Sequence, residues 1–410
     1  MGVRERFSAK HHTLTNMHKV GHELSDLDAA PITADEELGA IGDLSSGRPE
    51  PASHRAHSEP ARGTVLGRLG HVPEHEASQS SGSWLGRTTV LLVGVFLVGT
   101  AFIAFYVGAL HQPQPKAVPV GVVSGDIGAQ ALLTQIRHGT DQLDAKVYPT
   151  AGDADRALAA RRIYAILDTD LATEGLRVTL AGGAAPGVAD LVTQVVSTAA
   201  GAARIPLSVR DVHPPAAKDP RGLTPFYLVV GWLLGGYLAA TALAVILGTV
   251  PRGAVRLGMR LGAFAAFAVL FGLAGALITG PVYGIWSAHF AVLWLVGALV
   301  VFAGASITAA LESWVGLVGT GVAMLLLFIL GNPGSGGIYP PEFLPGFFRG
   351  MHGWLPTGIA TELVRAVEYF GGDTTGWLAA KLVLWTVLGL ATVLTATLAL
   401  GRRQSGGTDR

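Results

Sequence analysis

The chain has 410 residues, half of them apolar and only 14% charged. Its 29 basic and 29 acidic side chains cancel, so no basic surface stands out that could neutralise phosphate, which excludes a nucleic-acid partner. There is no cysteine, which excludes disulfides, thiol catalysis and thiolate metal sites, and the apolar excess is that of an integral membrane protein.

Residues 1–87 are polar and nearly without aromatic side chains, so they cannot bury enough surface to offset chain entropy. They are expected to form a disordered cytoplasmic tail. His11, His12, His18 and His22 cluster there, but a flexible His-rich tail does not by itself make a metal site, and none is assigned. Thr88 to Leu110 is uncharged and, at ~1.5 Å per residue, long enough for a ~30 Å hydrocarbon core; it reads as a retained first span at 88–110.

Residues 111–222 bring charges, prolines and short alternating segments. The pattern predicts strands at Val118–Val123, Lys146–Tyr148, Ile163–Leu167, Arg177–Leu180 and Pro206–Val212. It predicts helices at Gly128–Leu143, Asp153–Arg161 and Pro186–Ala203, with Asp153 as an N-cap and Pro186 in a first turn. This is an α+β extracytoplasmic domain inserted between the first and second spans.

From 223 to 401 the chain is apolar again, with spans expected at Leu223–Thr249, Leu261–Thr279, Phe290–Ala310, Val315–Leu330 and Trp377–Leu400. The fold class is therefore an α-helical integral membrane protein with six transmembrane helices, one plus five. Arg87, the run Arg252, Arg256 and Arg260, and Arg402 and Arg403 in the 402–410 tail place both termini in the cytoplasm by the positive-inside rule. Gly231 with Gly235, and Gly316, Gly319 and Gly321, are candidates for close helix approach. Glu312 reads as a turn residue, Lys381 as a snorkelling cation, and Tyr283, Trp286 and His289 as interface anchors. No lysine follows glycine and precedes Ser or Thr, so the chain carries no Walker site; HExxH and GxSxG are missing as well. No catalytic, cofactor-binding or metal residues are assigned, and the chain is not expected to be an enzyme.

Residues 331–370 are neither a span nor an ordinary polar loop. Pro333, Pro340, Pro341 and Pro345 forbid a continuous helix in the first half, while Pro356 onward has an apolar stripe of Thr357, Ile359, Leu363, Val364 and Val367. Glu362, Arg365 and Glu368 fall toward the opposite face, so Glu362 and Arg365 are expected to form a solvated pair. Irregular backbone rich in Phe343, Leu344, Phe347, Phe348, Met351 and Trp354 predicts a re-entrant or interfacial hairpin on the outer side.

Phe343-Leu344-Pro345, then Leu355-Pro356-Thr357, then Leu363 and Arg365 before a final span resemble the end of an ABC-2 type exporter permease, or its YhgE/Pip-like relatives. The VPVGVVSGD strand and turn and the AGDADRALAARRIYAIL stretch resemble the extracytoplasmic domain of the same proteins. That resemblance implies a permease subunit in membrane lipid, a homodimer or heterodimer of permeases, and a separate ABC ATPase that docks on Val250–Arg260 through Arg252, Arg256 and Arg260. It implies outward movement of a substrate, with no cofactor on this chain; the apolar outer hairpin suggests that the substrate is lipophilic. The composition, rich in Ala, Gly and Val, suits a multi-pass protein of a bacterial plasma membrane. The rival expectation is an ATPase-independent scaffold or receptor-like accessory protein.

Overall fold

A computed structural model describes residues 81–372 and 374–405. The expectations for the tail, with its four clustered histidines, lie outside the described residues. The chain enters as α1 (Ser81–Leu110) and passes into a sheet domain. Its elements are β1 (Val118–Val123), α2 (Ile127–Gly139), β2 (Leu143–Tyr148), α3 (Ala151–Ala159), β3 (Ala165–Asp170), β4 (Gly175–Leu180), α4 (Pro186–Ala203) and β5 (Leu207–Asp211).

The strand order is β2-β1-β3-β4-β5. β1 lies parallel to β2 and β3, and β4 parallel to β5; only β3 and β4 pair antiparallel. Parallel neighbours need a crossover, and α2, α3 and α4 supply the three. The expected α+β domain is thus a mixed sheet wound by βαβ units. On one face, Ala129, Leu132, Leu133 and Ile136 of α2 and the i+4 stripe Val188, Val192, Val196 and Ala200 of α4 cover Val118, Val120, Val122 and Leu167. On the other, Ala154, Ala157 and Leu158 of α3 pack with Ile163 and Ile166. Ile163 presses against Gly121, where a Cβ would collide with it.

Two local expectations are corrected. The helix predicted to reach Leu143 stops at Gly139, because Thr140 turns extended and Leu143 opens β2 in the buried core. The cap of α3 is Thr150, not Asp153. Its Oγ accepts from the Asp153 N–H at 3.1 Å and donates to the Asp153 carboxylate at 2.7 Å, so the two side chains three residues apart share the helix start.

The remaining chain is a helix bundle. α5 (Thr224–Leu247) is followed by α6 (Ala254–Leu277), which a wide π turn extends over Ile278–Val282. Then come α7 (Phe290–Val315) and α8 (Val318–Met324), the latter extended by π turns over Leu325–Leu330, and later α11 (Thr375–Ser405). Among the described residues five helices are long and apolar enough to cross a membrane: Trp84–Leu110, Thr224–Leu247, Ala254–Val282, Phe290–Val315 and Thr375–Leu400. The run expected to be a span at Val315–Leu330 is the shorter apolar helix Val318–Leu330. It rises only roughly 20 Å, against ~30 Å of hydrocarbon.

α7 is the hub, packed by α5, α6, α8 and α11. The close crossing of α5 on α7 is made by Gly236, where a Cβ would meet the Val301 carbonyl and the Ala305 nitrogen. Of the glycines expected to do this, Gly235 faces Phe271, while Gly231 has open space. Gly319 packs on the Leu311–Glu312 backbone, whereas a Cβ at Gly316 or Gly321 would meet open space. α1 stands apart: Phe105 and Ala109 pack on Phe348 and Leu344, while Val90, Val95 and Phe96 are exposed.

Candidate functional site

The hairpin holds short 3₁₀ turns at Pro333–Ser335 and Pro341–Phe343, then α9 (Gly346–His352) and α10 (Pro356–Tyr369). Proline at the first position starts α10 because its missing N–H costs nothing there. Thr357 then donates its hydroxyl to the Leu327 carbonyl at 2.7 Å, tying α10 to the end of the short apolar helix. α10 does not lie in a solvated layer. Ile359, Ala360, Leu363, Val364 and Val367 join Val229, Trp232 and Leu233 of α5 and Leu293 of α7 in one core. Irregular backbone inside an apolar bundle is sustained only when protein covers it, as here.

The solvated-pair expectation for Glu362 and Arg365 is overturned by this burial. Arg365 is 3% exposed. It donates to Glu362 Oε1 at 2.9 Å and to the carbonyls of Gly336 and Gly337 at 2.9 and 3.2 Å. The second Glu362 oxygen accepts from Arg161 at 2.6 Å, and Arg161 also reaches the Glu362 carbonyl and the Thr374 hydroxyl. One carboxylate therefore lies between two guanidiniums, one from the sheet domain and one from α10. Burial pushes the Glu362 carboxyl up, but Arg161 and Arg365 together outweigh it and hold it below the usual range. Beside them Tyr164 donates to Glu342 at 2.9 Å; burial pushes the Glu342 carboxyl up and the Tyr164 hydroxyl well up. Arg349 donates to the carbonyls of Pro341 and Glu342 and closes the hairpin turn.

The other expected hairpin residues are structural in different ways. Phe343, Leu344 and Leu355 are buried, and Pro345 accepts the Arg349 N–H at the start of α9. Sequence reasoning missed Arg161, Tyr164, Glu342 and Arg349. Arg161 follows an amphipathic helix and reads as a solvated helix end; its left-handed backbone, φ 56°, is set by the turn back onto Leu158. Nothing local marks it as a partner of a residue 201 positions away.

At the same end of the bundle, Glu368 of α10 stands 3.9 Å from His289 with its side chain 2% exposed. Burial raises its pKa to about 7. Trp286, expected at an interface, is buried against Tyr369 with ring centroids 6.0 Å apart. Lys381 donates to the Gly353 carbonyl and sits 5.3 Å from the Trp377 ring.

The opposite end of the bundle holds the arginines expected to dock an ATPase, and it divides them. Arg252 and Arg256 are exposed, but Arg260 is 3% exposed. Arg260 donates to the carbonyls of Gly248 and Thr249 at 2.7 and 2.9 Å, closing the C-terminal end of α5. It is a cap and cannot also be a docking side chain. Arg256 and Arg260 moreover lie in the first two turns of α6, so the connection itself is shorter than expected. Glu312 is no turn residue: it is fully buried in α7 and accepts from the hydroxyls of Thr241 and Thr320 at 3.0 and 2.9 Å.

Among the described residues no group of three His, Asp or Glu side chains could hold a metal ion. No family model matches the chain, and neither curated proteins nor solved structures yield a match.

Proposed function

We propose that this chain is the permease subunit of an ABC-2 type exporter, energised by a separate ATPase and moving a lipophilic substrate outward. In this reading it crosses a bacterial plasma membrane six times with both termini inside, works as a dimer of permeases, and uses Val318–Leu330 as a short crossing completed by the hairpin. The observation that carries the reading is the buried Arg161–Glu362–Arg365 bridge. It joins the sheet domain to a helix lodged between α5, α7 and α11, so a shift of the bundle helices is passed to the domain. The exposed pair Arg252 and Arg256 remains for the ATPase contact.

Co-purification from native membranes tests the partner. The intact chain is expected to bring down an ATPase, and Arg252→Glu with Arg256→Glu to lose it, since like charges at an interface cost several-fold to many-fold in affinity. A native chain that brings down no ATPase sinks the exporter reading. The scaffold reading then leads, supported by Ile127 at the start of α2 and Leu171 in the turn after β3, which stand 81% and 88% exposed beside the Asp126–Thr169 hydrogen bonds. Topology is tested by impermeant thiol labelling in sealed cells. Cysteines at Ser124 and Trp354, both exposed, should react and one at Ala254 should not. Labelling at position 254 overturns the orientation.

A further inference from the structure

A cavity of 270 Å³ opens where α4, the chain leading into α5 and the hairpin meet. Its charged lining residues are two arginines and one aspartate. α4 has 18 residues and no side-chain cap, Pro186 has no N–H, and the N–H groups of Val188 and Ala189 turn back to Ala185. The positive end of the helix at Gly187 therefore forms part of the wall. Independently, Arg365 lines the cavity, is 3% exposed, and keeps an Nε–H with no partner. Its bridge holds two guanidiniums to one carboxylate, with the Glu342 carboxyl held beside it by Tyr164. Arg221, exposed at the mouth, is the second guanidinium of the lining, which holds one acidic residue, Asp190.

The rest of the wall is apolar, including Leu223, Ile338 and Phe343. A second, apolar cavity of 380 Å³ lies between α5 and α6 and is lined by Tyr227, Trp232 and Phe271. Leu223 of the first and Tyr227 of the second are one helical turn apart on the same face, and the Tyr227 N–H donates to the Leu223 carbonyl. A cationic pocket and an apolar groove thus follow one another along α5.

We propose that these two cavities together bind an amphiphilic phosphate, its headgroup between Gly187, Arg221 and Arg365 and its chain laid along α5. This goes beyond the exporter reading, because the site stands on its own residues whether or not an ATPase partners the chain.

Binding to the purified full-length protein tests it, with three probes: dihexanoyl phosphatidic acid, dihexanoyl phosphatidylcholine and inorganic phosphate. Phosphatidic acid should bind at least ~10-fold tighter than either of the others, the scale of one charge-assisted hydrogen bond. Gly187→Asp puts a carboxylate at the helix end where nothing lies within 4 Å of the new Cβ, so it folds and competes with the ligand. That variant and Arg221→Gln should each weaken phosphatidic acid binding by about tenfold while melting like the native chain. Equal binding of phosphatidylcholine overturns the charge requirement, and equal binding of inorganic phosphate overturns the amphiphile. Unchanged affinity in Gly187→Asp overturns the site.

Discussion

Glu362 and Glu312 are both carboxylates drawn out of water, at opposite ends of the helix bundle, and they are held in opposite ways. Glu362 lies between two guanidiniums, each at hydrogen-bond distance, and its pKa falls. Glu312 has only two hydroxyl donors, both on Oε1, while its Oε2 has no partner. A paired carboxylate acts as a clamp, because removing any member strands the others in a medium that cannot hydrate them. A carboxylate hydrogen-bonded only to hydroxyls, with the Arg260 charge acting on it through space and not through a hydrogen bond, contributes less to the fold and keeps a vacant acceptor. The two ends of this molecule therefore differ in how much of the fold depends on charge.

The sharpest way to break the comparison is Glu362→Ala. It leaves Arg161 and Arg365 buried without their carboxylate, so a loss of about 3–5 kcal/mol is expected, with unfolding or early proteolysis at the domain junction. Replacing the triad with Met at 161, 362 and 365 should recover most of that loss. A Glu362→Ala protein that melts with the native one would show that the bridge carries no weight.

Next in size is Glu368, a third way of burying a carboxylate. Its folded pKa of about 7 lies above the usual carboxylate value, so the folded state holds a proton that the unfolded state releases. Its contribution is fully present below pH ~4.5 and is lost as pH rises through about 7, amounting to roughly 3 kcal/mol by pH 8. Glu368→Gln should remove that slope and raise stability at pH 8 more than at pH 5. Parallel melting curves for the two proteins across pH 5–8 would contradict it.

The smallest effect is expected at Glu312→Gln. The amide oxygen still accepts from Thr241 and Thr320, and the amide nitrogen takes the place of the unpartnered oxygen, so stability should change by no more than about 1 kcal/mol. A loss above 3 kcal/mol would mean that the charge itself holds this end together, and the contrast with Glu362 would fall.

Much of the architecture was legible in the chain. The long apolar runs became helices, though with bounds up to seven residues from those expected, as at Ala254 against Leu261, and α4 matched its expected Pro186–Ala203. The prolines of 331–345 did break the helix where expected. These features rest on local physics: hydropathy over twenty residues, proline's missing donor, and the 3.6-residue stripe. Thr150 was missed because Asp153, a good capping residue, sits three positions on and bonds to the Thr150 hydroxyl instead of capping the helix itself.

Sequence by itself determined which stretches are apolar enough to leave water, where the backbone must break, and which residues alternate into strands, since each depends on near neighbours along the chain. Tertiary structure alone decided what the charges do. Glu362 and Arg365 lie on what reads as the polar face of α10, yet that face packs against the sheet domain and meets Arg161 across 201 residues of sequence. Arg260 looked like its exposed neighbours Arg252 and Arg256 until the C-terminal end of α5 was seen to use it as a cap. The physical reason is the same in both cases. A helix period says which residues share a face, but the cost of burying a charge depends on what lies opposite, and that is set by packing between distant segments.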